Sequence, residues 1–193
     1  MSKRIALLTA AAFGGLALTA AVVAPVSAQD KMKSEMSGEK TVMVGGAAMF
    51  PSKNIVQNAV NSKDHTTLVA AVKAAGLVDT LESKGPFTVF APTNAAFGKL
   101  PAGTVDTLVK PENKATLTKI LTYHVIPGKL EASSLTDGKK LKTVEGEELT
   151  VKRSGDTVMI VDAKGGSSTV TIPNVNQSNG VIHVVDTVLM PAS

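Results

Sequence analysis

The spacing of apolar residues changes part-way along this chain, and that change constrains the fold more than any other feature of the sequence. Between residues 54 and 123 the apolar side chains recur mostly at three- and four-residue intervals, the pattern of amphipathic helices. From residue 140 onward they alternate with polar residues, the pattern of strands with one buried face. Helices followed by antiparallel strands predict an α+β domain whose sheet forms a β-sandwich or half-barrel.

The helical half carries recognisable helix boundaries. A helix with apolar residues at Leu68, Val72 and Ala75 is expected to end at Gly76, because glycine readily takes the left-handed conformation that closes a helix. A second short helix follows it directly. A later helix is expected to begin at Pro111, because the first turn of a helix leaves unbonded the N–H that proline lacks.

Strand signals concentrate in the second half, with one exception. The exception is residues 87–91, which alternate, include β-branched residues and stop at a proline. Further strands are predicted at residues 142–144, 148–153, 157–161 and 169–172. Residues 181–185 are almost continuously apolar, which predicts a strand that is covered on both faces.

The first 28 residues have the pattern of a secretory signal peptide. Two basic residues precede a long apolar run, and Val26 and Ala28 supply the small residues of a cleavage site, so cleavage is expected after Ala28. An uncleaved membrane anchor is the alternative, because the apolar run approaches the length of a bilayer span. We expect residues 29–50 to form a flexible leader and residues 51–193 to form the domain, with no membrane anchor in the mature chain.

Composition argues against several classes of function. The chain has no cysteine, which removes thiol catalysis and cysteine zinc sites. Its formal net charge of +4 includes two basic residues of the predicted signal peptide, so the remaining charge gives no argument for nucleic-acid binding. Aromatic residues make up 3% of the chain and tryptophan is absent, so stacking platforms for sugars or bases lose support.

Residues that could support catalysis or bind a metal are few. The histidines are His65, His124 and His183, and no two of them have the four-residue spacing that places two ligands on one helical face. The sequence also lacks the Gly-x-Ser-x-Gly motif of many hydrolases and the glycine-rich loop that binds phosphate. We therefore expect no catalytic residues, no metal site and no cofactor.

The segment KILTYHVIPG, residues 119–128, places the only tyrosine of the chain, Tyr123, beside His124. His124 continues the apolar face of the preceding helix, because it follows Leu117 by seven residues and Ile120 by four. A core position at the junction of the helix and the next segment is the interpretation that the spacing favours. A contact with a binding partner and a catalytic pair are the two alternatives.

Three blocks of this sequence resemble the signatures of the fasciclin-like domain family, and they come in the family's order. The first block is TVFAPTNAAF, residues 88–97. The second runs through the Tyr-His segment, residues 117–128, and the third is NGVIHVVDTVLMP, residues 179–191. With a signal peptide and without cysteine, the chain is similar to the single-domain secreted bacterial members of that family.

The resemblance assigns structural roles to ten motif residues: Thr88, Phe90, Pro92, Thr93, Asn94, Phe97, Asn179, Gly180, His183 and Asp186. Thr93 or Asn94 can cap the helix that follows, and Asp186 can accept backbone hydrogen bonds in a tight connection. Many family members carry aspartate where this chain has Asn94, and we expect that exchange to cost little stability.

The resemblance also implies a partner-binding site and a function. In animal members, segments that match Tyr123, His124, Val125, Ile126 and Pro127 are implicated in integrin-dependent adhesion, so these residues are the candidate contacts. The implied function is a non-enzymatic module, secreted or periplasmic, for cell adhesion or for binding a cell-surface, cell-envelope or extracellular-matrix protein or polysaccharide. A carrier that holds a small apolar ligand or lipid between helices and sheet is the second hypothesis. An enzyme, such as a hydrolase of envelope polymers, is the third.

Overall fold

The structure is a computed structural model, and it describes residues 40–192. The predicted signal peptide, its cleavage at Ala28 and the first part of the predicted leader lie outside the described residues. The α-helices are α1 (Ile55–Ala59), α2 (Thr66–Ala75), α3 (Val78–Glu82), α4 (Asn94–Gly98), α5 (Thr104–Leu108) and α6 (Lys114–Tyr123). The strands are β1 (Val42–Val44), β2 (Ala47–Met49), β3 (Phe87–Pro92), β4 (Val125–Pro127), β5 (Lys140–Lys142), β6 (Glu148–Ser154), β7 (Thr157–Val161), β8 (Ser167–Gln177) and β9 (Gly180–Val185).

Seven strands form one sheet in the order β4-β3-β9-β8-β7-β6-β5. Neighbouring strands are antiparallel except β3 and β9, which run parallel with Phe90 beside His183. The two edges of the sheet approach each other, because the Val144 N–H after β5 donates to the Val125 carbonyl in β4 at 2.8 Å. The sheet is therefore nearly closed, and the predicted α+β class with a half-barrel sheet is confirmed.

The curled sheet separates two apolar cores. The outer core lies between the helices and the sheet, and the β1–β2 hairpin contributes to it through Val44 and Met49. The inner core fills the concave side of the sheet and includes Phe90, Tyr123 and Ile160. Strand β9 supplies side chains to both cores and is buried at all six positions. This confirms the prediction of a strand covered on both faces.

Local sequence sets the helix ends. Asn54 and Gln57 form a capping box at the start of α1, in which each side chain accepts a hydrogen bond from the other residue's N–H. Gly76 closes α2 in the left-handed conformation, with φ of 71°, as predicted. Pro111 opens a short 3-10 helix that leads into α6, so the α-helix itself begins at Lys114. Among residues 40–192, no helix is long and apolar enough to cross a bilayer.

The prediction that residues 29–50 form a flexible leader is wrong for the last residues of that range. Strands β1 and β2 pair there as a hairpin, although the segment shows no clear strand alternation. Gly45 and Gly46 take positive φ angles in the connecting turn, and Val44 and Met49 are buried in the outer core. Burial of these side chains, rather than local pattern, holds the hairpin. The ordered domain thus begins before the predicted boundary at residue 51.

Two strand boundaries also differ from the prediction. Strand β5 is Lys140–Lys142 rather than residues 142–144, because Thr143 begins a turn in which its N–H and its hydroxyl both donate to the Glu147 carbonyl. Strand β8 extends well beyond residues 169–172 in both directions. Two register shifts against β9 let this long strand accommodate Pro173.

Candidate functional site

The three sequence blocks that carry the family resemblance meet at one place in the fold. Strand β3 of the first block lies between β4 of the second and β9 of the third. In register, Thr88 of β3 is opposite Ile126 of β4, and Phe90 is opposite His183 of β9. Residues 123–127, called the Tyr-His junction below, connect α6 to β4 at the centre of this arrangement.

Tyr123 is a core residue whose hydroxyl is satisfied by the backbone. The side chain has 0% relative exposure and packs in the inner core with Phe90. Its Oη accepts a hydrogen bond from the Ala163 N–H at 2.9 Å and lies 3.5 Å from the Glu148 carbonyl oxygen. Burial raises the pKa of the phenol, so the hydroxyl stays protonated. The geometry therefore does not favour a reactive phenolate.

His124 follows the last residue of α6 and ties this helix to the C-terminal segment. Its Nδ1 donates to the Ile120 carbonyl at 2.8 Å, and its Nε2 accepts from the Leu189 N–H at 3.0 Å. These partners fix the tautomer with hydrogen on Nδ1, because a carbonyl only accepts and an amide N–H only donates. The ring is almost completely buried, and burial lowers its pKa to about 4. His124 is thus neutral near pH 7 and has no nitrogen free for proton transfer.

The other three residues of the Tyr-His junction differ in accessibility. Val125 is buried in the outer core and Ile126 in the inner core, whereas Pro127 is exposed. A partner can reach the buried residues 123–126 only if the junction opens locally. The geometry therefore supports the core interpretation of Tyr123 and His124 and leaves Pro127 as the accessible end of the predicted contact segment.

Thr88 and His183 form hydrogen bonds to the backbone of the segment that follows β4. Thr88 Oγ1 donates to the Gly128 carbonyl at 2.7 Å and accepts from the Leu130 N–H at 2.8 Å. His183 Nε2 donates to the Leu130 carbonyl at 2.8 Å, and its ring stacks on Phe90 with the centroids 5.7 Å apart. Both side chains are fully buried, and burial lowers the pKa of His183. Their polar atoms hold the backbone together and face no solvent.

Thr93 and Asn94 cap two different helices. Thr93 Oγ1 accepts from the Ala96 N–H at 3.2 Å and caps α4, as predicted. Asn94 Oδ1 accepts from the Thr67 N–H at 3.0 Å in the first turn of α2, while its Nδ2 donates to the Lys63 carbonyl at 2.8 Å. An aspartate could still accept the hydrogen bond from the Thr67 N–H. Its second carboxylate oxygen, however, would face the Lys63 carbonyl oxygen, and the two oxygens would repel each other. The expected equivalence of asparagine and aspartate therefore does not fit this geometry.

Asn179 joins the ends of two helices to the turn between β8 and β9. Its Oδ1 accepts from the Ile55 N–H at 3.1 Å, at the start of α1. Its Nδ2 donates to the carbonyls of Leu81 and Ser83, at 2.6 and 3.0 Å, at the end of α3. One buried amide thus satisfies an N-terminal donor of one helix and C-terminal acceptors of another.

The remaining motif residues shape the backbone and the outer core. Gly180 begins β9 so close to β3 that a methyl group on it would collide with a carbonyl oxygen of that strand. Asp186 accepts a hydrogen bond from the Thr169 N–H at 2.8 Å, which confirms its predicted acceptor role. Phe97 is buried in the outer core, and Pro92 is the last residue of β3.

His65 is a buried polar residue that the sequence motifs do not single out. The available signal is its spacing, because it precedes Leu68 by three residues and Val72 by seven and so shares the apolar face of α2. Its ring is 3% exposed, and its Nδ1 lies 2.9 Å from Ser62 Oγ. Its Nε2 forms no hydrogen bond of regular geometry among the described residues. Burial lowers the pKa of His65, although the nearby Ala91 backbone acts in the opposite direction.

His65 lines a cavity of about 50 Å³ between helices α1, α2 and α3 and the sheet. The lining is apolar except for His65, His124 and Lys73. Within residues 40–192, no three histidine, aspartate or glutamate side chains lie close enough together to hold a metal ion. The polar groups described at these sites form hydrogen bonds within a buried, largely apolar core.

Comparison with known proteins places this arrangement in a family. Residues 63–191 match the sequence profile of the Fasciclin domain. The chain belongs to the fasciclin domain family. This confirms the resemblance drawn from the three sequence blocks.

Similar proteins occur in bacteria. Protein sll1483 of Synechocystis sp. is 49% identical over 153 residues, which cover 79% of this chain and 82% of that protein. Immunogenic protein MPB70 of Mycobacterium bovis is 35% identical over 199 residues, which cover 99% of this chain and 98% of that protein. Cell surface glycolipoprotein MPB83 of the same species is 40% identical over 153 residues, which cover 77% of this chain and 64% of that protein.

A solved structure has the same fold. The FAS1 domain pair from the insect cell adhesion molecule Fasciclin I superposes with a TM-score of 0.65 and 19% sequence identity. The match covers 73% of this chain and about half, 52%, of that chain. At this identity the likeness establishes the shared fold and does not extend to activity.

Proposed function

We propose that this fasciclin-domain chain is a non-enzymatic interaction module outside the cytoplasm. It binds a protein or polysaccharide of a cell surface, a cell envelope or an extracellular matrix. The observation that carries the proposal is the match of residues 63–191 to the Fasciclin domain. Proteins similar to this chain include one named as a cell surface glycolipoprotein.

The location in this proposal follows from the N-terminal sequence. The predicted signal peptide, with cleavage after Ala28, directs the mature chain to the periplasm or to the cell exterior. A module in either place meets envelope polymers or the surfaces of other cells, which are the partners proposed above.

A non-enzymatic role agrees with the chemistry of the Tyr-His junction. The Tyr123 hydroxyl and both His124 nitrogens are occupied by backbone groups of the same domain. Burial shifts both pKa values toward the uncharged forms, so neither side chain offers a charged group at neutral pH. The binding surface in this proposal is therefore the exterior of the folded domain, where the junction contributes Pro127.

The proposal is tested by measuring binding of the fluorescently labelled chain, in its naturally exported form, to the producing cells. Extracted envelope polymers and purified matrix proteins are tested in parallel, and heat-unfolded protein is the control. Saturable binding by the folded form alone is the expected result. Absence of saturable binding to every one of these targets would overturn the proposal.

The cavity beside His65 favours a second candidate function, a carrier of a small apolar ligand. Its walls are almost entirely apolar, as in most small-molecule sites. Its volume of about 50 Å³ limits what it can hold. An engineered cavity of roughly 150 Å³ accommodates benzene, so a lipid chain would need the helices to move apart. A carrier role would thus concern a ligand of a few heavy atoms rather than a lipid.

A further inference from the structure

We propose that residues 188–192, which follow β9 and are called the strap below, leave the domain in acid while the sheet stays folded. The group that triggers release is Nε2 of His124, which cannot hold a proton and accept the strap's hydrogen bond at the same time. This inference goes beyond the proposed binding function and does not depend on it, because release is measured without a partner.

Side chains, rather than the sheet, hold the backbone of the strap. Three of its N–H groups donate to ionisable side chains: Leu189 to His124 Nε2 at 3.0 Å, Met190 to Asp162 Oδ2 at 3.1 Å and Ala192 to Glu147 Oε2 at 2.8 Å. Among residues 40–192, none of these three N–H groups donates to a backbone carbonyl. The strap can therefore move without breaking a pair of strands.

Thr187 marks the hinge between the strap and the sheet. Its N–H donates to Ser168 Oγ at 3.1 Å, and its carbonyl accepts from the same hydroxyl at 2.7 Å. A serine hydroxyl does not change its charge with pH, so acid leaves this anchor intact. The preceding residue, Asp186, is tied to the sheet by its N–H, which donates to the Thr169 carbonyl at 3.1 Å. Release therefore begins after Thr187.

Two buried side chains keep the strap in place near neutral pH. Val188 packs in the outer core and Leu189 in the inner core, and both are almost completely buried. Burial of these apolar groups favours the docked strap at every pH. Release in acid needs an opposing effect, and protonation of His124 supplies it.

A proton and the strap compete for the same lone pair of His124. Nδ1 already carries a hydrogen, which it donates to the Ile120 carbonyl at 2.8 Å, so an added proton can bind only at Nε2. The Leu189 N–H occupies the lone pair of that nitrogen. Release of the strap frees the lone pair and opens the ring to water, which hydrates the charge. The pKa of the docked ring, lowered by burial to about 4, agrees with this competition.

The neighbouring ionisable groups act on the strap without the same exclusion. Around His124 these groups are its chain neighbour Tyr123, the side chain of Asp162, whose charge favours a proton on the ring, and His65 and Lys73, which line the same cavity. At the other end of the strap, Glu147 lies beside Glu145, which pairs with Lys119 at 3.4 Å. A protonated carboxyl group keeps lone pairs that accept hydrogen bonds. Protonation of Asp162 or Glu147 therefore weakens a strap bond, whereas protonation of His124 excludes one.

Amide hydrogen exchange of the full exported chain, followed by NMR from pH 7 to pH 4, tests the proposal. The protection factor of each amide compares its exchange rate with that of an unfolded chain at the same pH. We expect Leu189 and Met190 to be less protected than strand β9 at each pH, and their protection to fall about 100-fold from pH 7 to pH 4. The loss should follow protonation of His124, observed through the ¹⁵N signals of its ring.

Two matched variants identify the group that takes up the proton. His124→Gln places an amide oxygen near the position of Nε2, so it can accept from the Leu189 N–H but does not titrate in this range. Glu147→Gln removes a carboxylate that contacts the strap and keeps an acceptor oxygen. We expect the pH dependence of Leu189 protection to disappear in His124→Gln and to persist in Glu147→Gln.

Three results would overturn the proposal, and the first two need no variant. One is equal protection of the strap and strand β9 at every pH, because the strap would then leave only when the whole domain unfolds. Another is protonation of the His124 ring without any loss of protection at Leu189. The last is the same pH dependence of Leu189 protection in the wild-type chain and in folded His124→Gln.

Discussion

The ring of His124 and the backbone N–H of Leu189 are joined by a hydrogen bond of 3.0 Å, although the residues are 65 positions apart in the chain. The opposite ring nitrogen donates to the Ile120 carbonyl in the last turn of α6. One buried side chain thus connects the end of a helix to the segment that follows the last strand. This relationship gives the histidine of the Tyr-His segment a structural role.

Replacement of His124 should destabilise the domain. His124→Ala removes a buried ring and leaves the Leu189 N–H and the Ile120 carbonyl without this partner, so we expect a loss of about 2–4 kcal/mol. His124→Asn should lose less, because its amide can still donate to the Ile120 carbonyl. Urea unfolding followed by circular dichroism measures both. The exposed Lys129→Ala is the control, and a His124→Ala variant as stable as this control would place the ring outside the core.

The stability of the domain should decrease between pH 6.5 and pH 4. The pKa of His124 is lowered from 6.5 to about 4 in the folded state. Between these values the unfolded chain binds more protons than the folded one, so acid favours unfolding. Stability from this group is fully present above pH 6.5, falls by about 3 kcal/mol on going down to pH 4, and levels off below that. The lowered pKa values of His65 and His183 act in the same direction.

Urea unfolding at intervals from pH 4 to pH 8 checks this dependence. The wild-type chain should lose more stability across the window than His124→Asn, because the variant lacks one of the buried histidines. If the free energy of unfolding changes with pH by the same amount in both proteins, His124 is not the cause of the pH dependence.

Asn94→Asp should destabilise the domain at neutral pH by about 1 kcal/mol. The carboxylate gains from its position at the start of α2, but it cannot donate to the Lys63 carbonyl as Asn94 does. The difference in stability between Asn94→Asp and the wild-type chain should shrink below about pH 4, because a protonated carboxyl group can again donate a hydrogen bond. Thermal unfolding at pH 7 and pH 3.5 measures the difference, with Asn94→Ala as the reference that lacks both bonds. Equal stability of Asn94→Asp and the wild-type chain at pH 7 would contradict this account of the cap.

Asn179→Ala should cost about 2–4 kcal/mol, because it leaves one N–H and two carbonyl groups without this partner. The affected groups lie at the start of α1 and the end of α3, so hydrogen exchange should increase first in these two helices. Ser178→Ala, in the same turn but exposed, is the control. Uniform exchange across the domain, with no early opening of α1 and α3, would argue against the role of Asn179 in joining them.

Much of the fold was predictable because local pattern and burial agree there. The continuous apolar run at residues 181–185 predicts a strand covered on both sides, and β9 has an apolar core on each face. The spacing of Leu117, Ile120 and His124 likewise predicts the buried face of α6. In these elements the sequence period and the tertiary environment select the same structure.

The features that were not predictable depend on distant residues. The β1–β2 hairpin has little strand pattern of its own and is held by the outer core. The second cap provided by Asn94 reaches a helix 27 positions earlier in the chain. The parallel pairing of β3 and β9 and the cavity beside His65 likewise form only when the three sequence blocks and the helices assemble.

The most direct test of the central claim compares binding of the wild-type chain and Tyr123→Phe to the producing cells, at a temperature where both are folded. Tyr123→Phe keeps the ring and removes only the hydroxyl that holds the Ala163 N–H, so the junction opens more easily while the exterior is unchanged. If the folded exterior binds the partner, the dissociation constants of the wild-type chain and Tyr123→Phe should agree within about twofold. Pro127→Ala changes the exposed end of the Tyr-His junction and is therefore the variant that can weaken binding. Tighter binding by Tyr123→Phe would mean that the partner contacts the opened junction and would contradict the account.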